Sequence, residues 1–182
     1  GVGEGVLDLS SFWTWRFEAD VPAEKRFGLR ELRGRHEWDG LPFVVGGQLA
    51  LAGEKMNTRS DGSALPSEMH IPVGRAFDEL HLLHASLWQD PVGVEVATLR
   101  FVYADGQIRE QPLRYGVHVI DWQRLPGEEV EPLSDPASKI VWRGPGTPDS
   151  SAPARVIATA FANPLPDQIV DHLEFVSRRT MT

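Results

Sequence analysis

Apolar and polar residues alternate in short runs along most of this chain, with the period of two that half-buried β-strands show. The clearest runs lie at residues 69–73, 99–103, 156–162 and 169–177, and clusters of Gly, Pro, Asn and Asp separate them. The run at 156–162 is apolar on both faces, which predicts a central strand covered on both sides. Pro72 lacks a backbone N–H, so it predicts that the strand at 69–73 lies at a sheet edge or that Pro72 lies at a strand end.

The sequence at residues 98–113, TLRFVYADGQIREQPL, predicts a β-hairpin. Its Asp105-Gly106 pair is favoured in the two-residue type I′ turn, and a turn at that position pairs Tyr103 with Ile108. The opposite face of this hairpin is polar apart from one valine. One buried face and one solvent-exposed face predict an antiparallel sheet that packs on a second layer. The buried face collects the apolar side chains Leu99, Phe101, Tyr103 and Ile108.

Three segments carry weaker or mixed signals. Residues 77–88 fit both a helix and a strand, and the turn residues that flank them favour the strand. Residues 6–20 place three aromatic side chains at a period of two, which predicts a further strand. Gly28 weakens a helix over residues 23–32, so we predict a long loop with one helical turn there.

Together these patterns predict an all-β protein, an antiparallel β-sandwich of the jelly-roll type with roughly eight to ten short strands. A doubly wound α/β fold is disfavoured because the sequence supplies no helices between the strands. A repeat of about 20 to 50 residues is absent, which leaves propellers and solenoids without support. The length predicts a single domain over residues 1–182.

The composition argues against several classes of function. A net charge of −8 and a pI near 5.2 disfavour binding to nucleic-acid phosphates, which depends on clustered Lys and Arg. The chain has no Cys, which excludes disulfide scaffolds, thiol catalysis and cysteine-ligated metal sites. Because no apolar stretch approaches the roughly 20 residues of a membrane-spanning helix, we predict no transmembrane segment.

Catalytic motifs are missing from the sequence: it has no nucleophile elbow, HExxH, Walker or dinucleotide pattern. His81 and His84 are three residues apart, so on a strand they point to opposite faces, which argues against a zinc pair. His70 and His172 lie in alternating runs and are interpreted as hydrogen-bonded structural residues. We therefore predict a non-enzymatic protein and assign no residue as a metal ligand. The alternative of a glycoside hydrolase requires two carboxylates about 5 to 10 Å apart in one cleft.

Aromatic residues beside predicted loops give the strongest functional signal. Indole and phenol rings stack on the C–H faces of sugars, while neighbouring polar side chains hydrogen-bond the hydroxyls. The opposing interpretation is that the tryptophans close the ends of the sandwich as part of its core. The predicted ligand-binding residues are Trp38, Asp39, Trp88, Arg114, Tyr115, His118, Asp121, Trp122 and Arg143.

Five short motifs occur in a distinctive order: I-P-V-G-R at 71–75, Y-x-D-G at 103–106, D-W at 121–122, W-R-G at 142–144 and N-P-x-P-D at 163–167. In this order the chain resembles bacterial galactose-binding-like β-sandwich domains of the discoidin or NPCBM type over residues 41–178. Residues 1–40 lie outside the resemblance as an N-terminal strand and loop extension. The resemblance implies a jelly roll with a glycan-binding role outside the cytoplasm, in the periplasm, secreted or at the cell surface.

The expected function is therefore a non-catalytic binding module for extracytoplasmic carbohydrate. Alternatives are a structural or protein-interaction domain that packs against a neighbouring protein module, and the hydrolase considered above. No cofactor is required for the expected function. Structural calcium is a further prediction, because the loop at 57–61 and the region of Asp135 carry suitable oxygen ligands without a fixed spacing.

Overall fold

Eleven β-strands and one 3₁₀ helix form the regular structure of residues 5–19, 21–22, 27–124, 128 and 133–181, which are the residues that the computed structural model describes. The 3₁₀ helix spans Gly28–Leu32. The strands are β1 (Trp15–Arg16), β2 (Gly34–Trp38), β3 (Leu41–Val45), β4 (Gly47–Gln48), β5 (Glu68–Arg75), β6 (Glu79–His84), β7 (Glu95–Tyr103), β8 (Ile108–Arg114), β9 (Ser138–Gly144), β10 (Ala154–Ala162) and β11 (Val170–Ser177).

Two antiparallel sheets form the body of the molecule. One has the strand order β5-β11-β7-β8 and the other has the order β6-β10-β9. Two short antiparallel ribbons, β1-β4 and β2-β3, lie outside these two sheets. The predicted all-β antiparallel sandwich is confirmed, since apolar side chains from both sheets meet in one buried core, which includes Leu80, Leu99, Phe101, Ile157, Phe161 and Leu173.

Several strands occupy their predicted places. β10 lies at the centre of the three-stranded sheet, and β5, which contains Pro72, is an edge strand. Residues 79–84 form β6, so the strand interpretation of the ambiguous segment is confirmed, and the predicted helical turn is the 3₁₀ helix Gly28–Leu32. In the part of the chain that the structure describes, no helix is long and apolar enough to cross a membrane.

The β7–β8 hairpin forms where it was predicted but with a different turn. Residues 104–106 make a three-residue loop, closed by Gly106 in the left-handed region at φ 87°. The predicted pairing of Tyr103 with Ile108 is therefore wrong, because Ile108 pairs with Val102. This shift of one residue turns the side chain of Ile108 to solvent, where it is 50% exposed.

The predicted strand at residues 6–20 is wrong over most of its length. Among the described residues of this segment, only Trp15–Arg16 form a strand, which pairs with β4. The indole ring of Trp13 packs directly on two glycines, and a Cβ added at Gly46 or Gly47 would lie 2.3 or 2.6 Å from ring atoms. This close ring contact, which needs residues without side chains, fixes the path of the segment in place of a long ladder of strand hydrogen bonds.

Candidate functional site

Two loops meet at one end of the sandwich: residues 85–94 between β6 and β7, and residues 114–123 at the end of β8 and beyond. The backbone N–H of Trp122 donates to the carbonyl of Ser86 at 2.9 Å, so the loops are joined directly. We call this region the Trp88 end. It brings together six of the nine predicted ligand-binding residues: Trp88, Arg114, Tyr115, His118, Asp121 and Trp122.

The surface of the Trp88 end carries an indole, an aliphatic side chain and a guanidinium. Trp88 is 45% exposed and Val92 is 77% exposed, both high values for large apolar residues. The Arg114 side chain donates to the carbonyl of Gly93 at 3.0 Å and lies 3.8 Å from the carboxylate of Glu95. An exposed ring with a positioned guanidinium beside the same loop is an arrangement that can bind a polar ligand with apolar faces.

Tyr115 and Asp121 support this end and do not form its surface. Tyr115 is 6% exposed, and its hydroxyl accepts a hydrogen bond from the backbone N–H of Asp121 at 3.2 Å. The Asp121 side chain is 4% exposed and accepts from the backbone N–H of Gln123 at 2.9 Å. Burial raises the pKa of Asp121 above its ordinary value, because the charged carboxylate loses water.

His118 and Trp122 also face inward. Nδ1 of His118 accepts from the backbone N–H of Arg114 at 3.0 Å, and its Nε2 lies 3.6 Å from the carboxylate of Asp135. Burial lowers the pKa of His118. The Trp122 ring packs on Gly28, where an added Cβ would lie 3.0 Å from the ring. Trp122 therefore joins the loop to the 3₁₀ helix, so Trp88 and Arg114 are the predicted residues that remain accessible at this end.

The other three predicted residues lie outside the two loops. Trp38 ends β2 and stacks on His36 with ring centroids 4.8 Å apart, and Asp39 begins the following turn. The Asp39 carboxylate accepts from Nζ of Lys139 at 3.0 Å. Arg143 lies on the exposed side of β9. The sequence therefore grouped residues that the fold places in separate regions.

A large apolar cavity lies beside β6 and was not predicted from the sequence. Its volume is about 330 Å³, it is partly open to solvent, and it lies between the N-terminal segments at 9–52 and the sandwich. Leu82 and Leu83 both line it, so it reaches both faces of this edge strand. Its other apolar lining residues include Leu9, Trp13, Phe17, Leu29, Leu32, Val45, Ile71, Val96, Leu113, Val119, Trp122, Val156 and Phe175.

The few polar residues that line this cavity include His84, Ser86, Gln48 and Ser177. Nε2 of His84 shares a hydrogen bond of 2.8 Å with the hydroxyl of Thr159. Burial lowers the pKa of His84 to about 4, so its ring is neutral at neutral pH. No carboxylate is among the described residues that line the cavity, so the acid pair that a glycoside hydrolase requires is not found there.

A group of potential metal ligands lies on the outer face of the four-stranded sheet. One ligand atom from each of His70, His172 and Glu174 lies within 4.8 Å of the other two. In the loops predicted to hold calcium the carboxylates already have partners. Asp61 accepts from Ser63, and Asp135 accepts from the backbone N–H of the residue two positions on and lies near His118. The calcium prediction stays a prediction.

Comparisons with protein-family models, with curated proteins and with solved structures gave no match to this chain.

Proposed function

We propose that this chain is a non-catalytic binding module for extracytoplasmic carbohydrate, built on a jelly roll of the galactose-binding-like type. The observation that carries this proposal is the exposed indole of Trp88 at the end of the sandwich where six predicted ligand-binding residues meet. Supporting it is the resemblance over residues 41–178, which implies the same fold and role.

The chemistry of the Trp88 end suits a sugar. An exposed indole offers a flat apolar surface for the C–H face of a pyranose ring, and burying that area favours binding. Arg114 offers guanidinium N–H groups to hydroxyl oxygens. Gln89, which follows Trp88 in the sequence, is exposed and has both an amide donor and an acceptor. The hydrogen bonds that Tyr115 and Asp121 make hold the loop below in one conformation, which lowers the entropic cost of binding.

Replacing Trp88 with Ala is expected to weaken carbohydrate binding at least about tenfold, which corresponds to about 1.4 kcal/mol. The physical reason is the loss of the stacking surface, while the supporting loop hydrogen bonds stay in place. A glycan array identifies a bound polysaccharide for the unmodified chain, and calorimetric titration with that polysaccharide compares the two proteins.

Trp38→Ala is the matched control, because Trp38 is a second predicted aromatic residue in a different region. It is expected to leave the affinity unchanged within about twofold. Loss of binding in Trp38→Ala but not in Trp88→Ala would move the site to the β2–β3 turn. If the unmodified chain binds no polysaccharide, carbohydrate is not the ligand, and the alternative of a module that binds a neighbouring protein takes its place.

A second candidate function rests on the apolar cavity beside β6. At about 330 Å³ it falls in the size range of small-molecule sites, about 300 to 1,000 Å³, and its lining is mostly aliphatic and aromatic. Its few polar lining groups do not include an exposed cation or a carboxylate pair among the described residues. The chemistry therefore fits a slender apolar molecule such as an acyl chain, whose burial is worth about 0.8 kcal/mol for each CH₂ group.

A substitution that fills this cavity can distinguish a ligand-binding site from a packing defect in the core. Ala85 follows β6 and lines the cavity, so Ala85→Leu is expected to weaken laurate binding at least about fivefold by occupying the space. Ala162→Leu adds the same atoms at an exposed position on β10 and is expected to leave the affinity for laurate unchanged. Calorimetry with laurate measures both variants, and equal laurate affinity in all three proteins would exclude the cavity as the site.

A further inference from the structure

His70, His172 and Glu174 project from two neighbouring strands on the same face of the four-stranded sheet. His70 of β5 is the direct cross-strand partner of Glu174 of β11, and His172 precedes Glu174 by two residues, which places it on the same face. The residues between them, Ile71 and Leu173, point the other way and are buried in the core. Strand pairing alone therefore brings the three side chains together above the sheet.

The distances between their ligand atoms suit a metal ion. Oε1 of Glu174 lies 3.2 Å from Nε2 of His172 and 3.8 Å from Nε2 of His70. The imidazole rings of His70 and His172 are stacked, with centroids 5.3 Å apart and planes at 19°. Ligands of a tetrahedral zinc ion lie about 3.3 Å apart when the bonds to zinc are about 2.0 Å long. All three ligand atoms lie within 4.8 Å of one another, so each separation is at most about 1.5 Å longer than in such a zinc site.

We propose that His70, His172 and Glu174 form a binding site for a transition-metal ion of the Zn²⁺ class on the outer face of this sheet. Two imidazole nitrogens with one carboxylate favour zinc, cobalt, nickel or copper over calcium and magnesium, which prefer oxygen ligands alone. Glu68 hydrogen-bonds His70 and stands next to the group, so it can serve as a fourth ligand, and otherwise water takes that position.

Neighbouring side chains already orient two of the ligands, His172 and Glu174. Nδ1 of His172 hydrogen-bonds the carboxylate of Asp171 at 2.7 Å, which leaves Nε2 facing Glu174. A carboxylate on the second nitrogen is the usual partner of a metal-binding histidine. Arg100 donates to Oε2 of Glu174 at 3.3 Å, so Oε1 is the oxygen that faces the histidines.

The positive charge of Arg100 repels a cation at this site, but a second acidic partner of Arg100, Glu110, reduces this repulsion. Nε of Arg100 donates to the carboxylate of Glu110 at 2.7 Å, so this guanidinium is shared between two acids. Four carboxylates, from Glu68, Glu110, Asp171 and Glu174, surround this one arginine and the two histidines. The local charge therefore favours a divalent cation.

A bound metal would also tie an edge strand to the sheet. β5 pairs with β11 alone among the described strands, while β11 pairs on both sides. A metal bridge between His70 and β11 adds a bond across that single interface, and an ion that binds the folded protein stabilises it by mass action. Zinc is accordingly expected to raise the melting temperature as well as to bind.

The test uses the full, tag-free chain, treated with a chelator and then desalted. Titration with ZnCl₂ at about pH 7.5 is expected to give saturable binding with one ion for each chain and a higher melting temperature. His172→Gln and Glu174→Gln are each expected to weaken zinc binding at least about tenfold. Co²⁺ gives an independent readout, because nitrogen ligation changes its visible absorption, and His172→Gln should remove that change.

His81→Gln is the matched control, since His81 also faces a carboxylate on its own strand, Glu79, at 3.3 Å. It is expected to bind zinc with unchanged affinity. His70→Gln, at an exposed position on the edge strand, gives a second ligand variant should His172→Gln fail to fold by circular dichroism. No saturable zinc binding, equal affinity in the ligand variants, or an equal loss in His81→Gln would each overturn the site.

Discussion

Replacing Arg155 with Met is expected to lower the free energy of unfolding by about 3 kcal/mol. The Arg155 side chain on β10 is 2% exposed, and Nε donates to the carbonyl of Asp121 at 2.8 Å. Its Nη2 donates to the carboxylate of Glu128 at 2.6 Å. Methionine fills a similar volume, so the loss comes from the two hydrogen bonds that the guanidinium makes, one to the buried Asp121 carbonyl and one to the partly exposed Glu128 carboxylate.

Urea unfolding measures this effect, with Glu128→Gln as the matched control. Glutamine keeps an acceptor for Arg155, so Glu128→Gln is expected to cost less than about 1.5 kcal/mol. Arg155→Lys should not restore stability, because an ammonium cannot place donors on both partners as the planar guanidinium does. An Arg155→Met protein within about 0.5 kcal/mol of the unmodified chain would show that this interaction does not stabilise the fold.

The stability of the chain is expected to fall between pH 6.5 and pH 4 because of His84. Its pKa is lowered by burial to about 4, whereas an unfolded histidine titrates near 6.5. The unfolded chain therefore takes up this proton first. The contribution of neutral His84 is fully present above about pH 6.5, declines as the pH falls, and is lost below about pH 4, for a total of about 3 kcal/mol.

His84→Gln removes this titrating group and leaves an amide that can still hydrogen-bond Thr159. Between pH 7.5 and 4.5 the variant should lose about 2 kcal/mol less stability than the unmodified chain, measured by urea unfolding at both pH values. An NMR titration of the His84 ring checks the cause directly. Equal losses in the two proteins, or a ring that protonates near pH 6.5, would contradict the prediction.

The fold was predictable because strand patterns are local and redundant. The two-sided apolar run of β10 and the proline of β5 specified a central and an edge strand, and both are where the patterns placed them. The hairpin turn was not predictable to the residue, since Asp-Gly occurs in a three-residue loop with a glycine bulge as well as in the type I′ turn. As a result, the side chain of Ile108 was predicted to face the core but faces solvent, whereas Leu99, Phe101 and Tyr103 are buried as predicted.

The candidate sites were less predictable because they depend on contacts between distant segments. Six predicted residues meet at one end, but the sequence could not separate exposed Trp88 from buried Tyr115 and Asp121. The sequence did not indicate that His70 and His172 lie close together, because the pairing of β5 with β11 is not visible in either strand alone. The cavity was not predictable because it lies between the segments at 9–52 and the sandwich. A space between two parts of the chain produces no periodic pattern in the sequence of either part.

The wall of the apolar cavity is formed by two parts of the chain that are distant in sequence. Leu9, Trp13, Phe17 and Leu32 precede both sheets in the chain, yet they share this space with residues of β6 and β7. The described residues among the first forty therefore belong to the same packed structure as the sandwich. During evolution, substitutions or length changes in the first forty residues can reshape this compartment while both sheets keep their sequence.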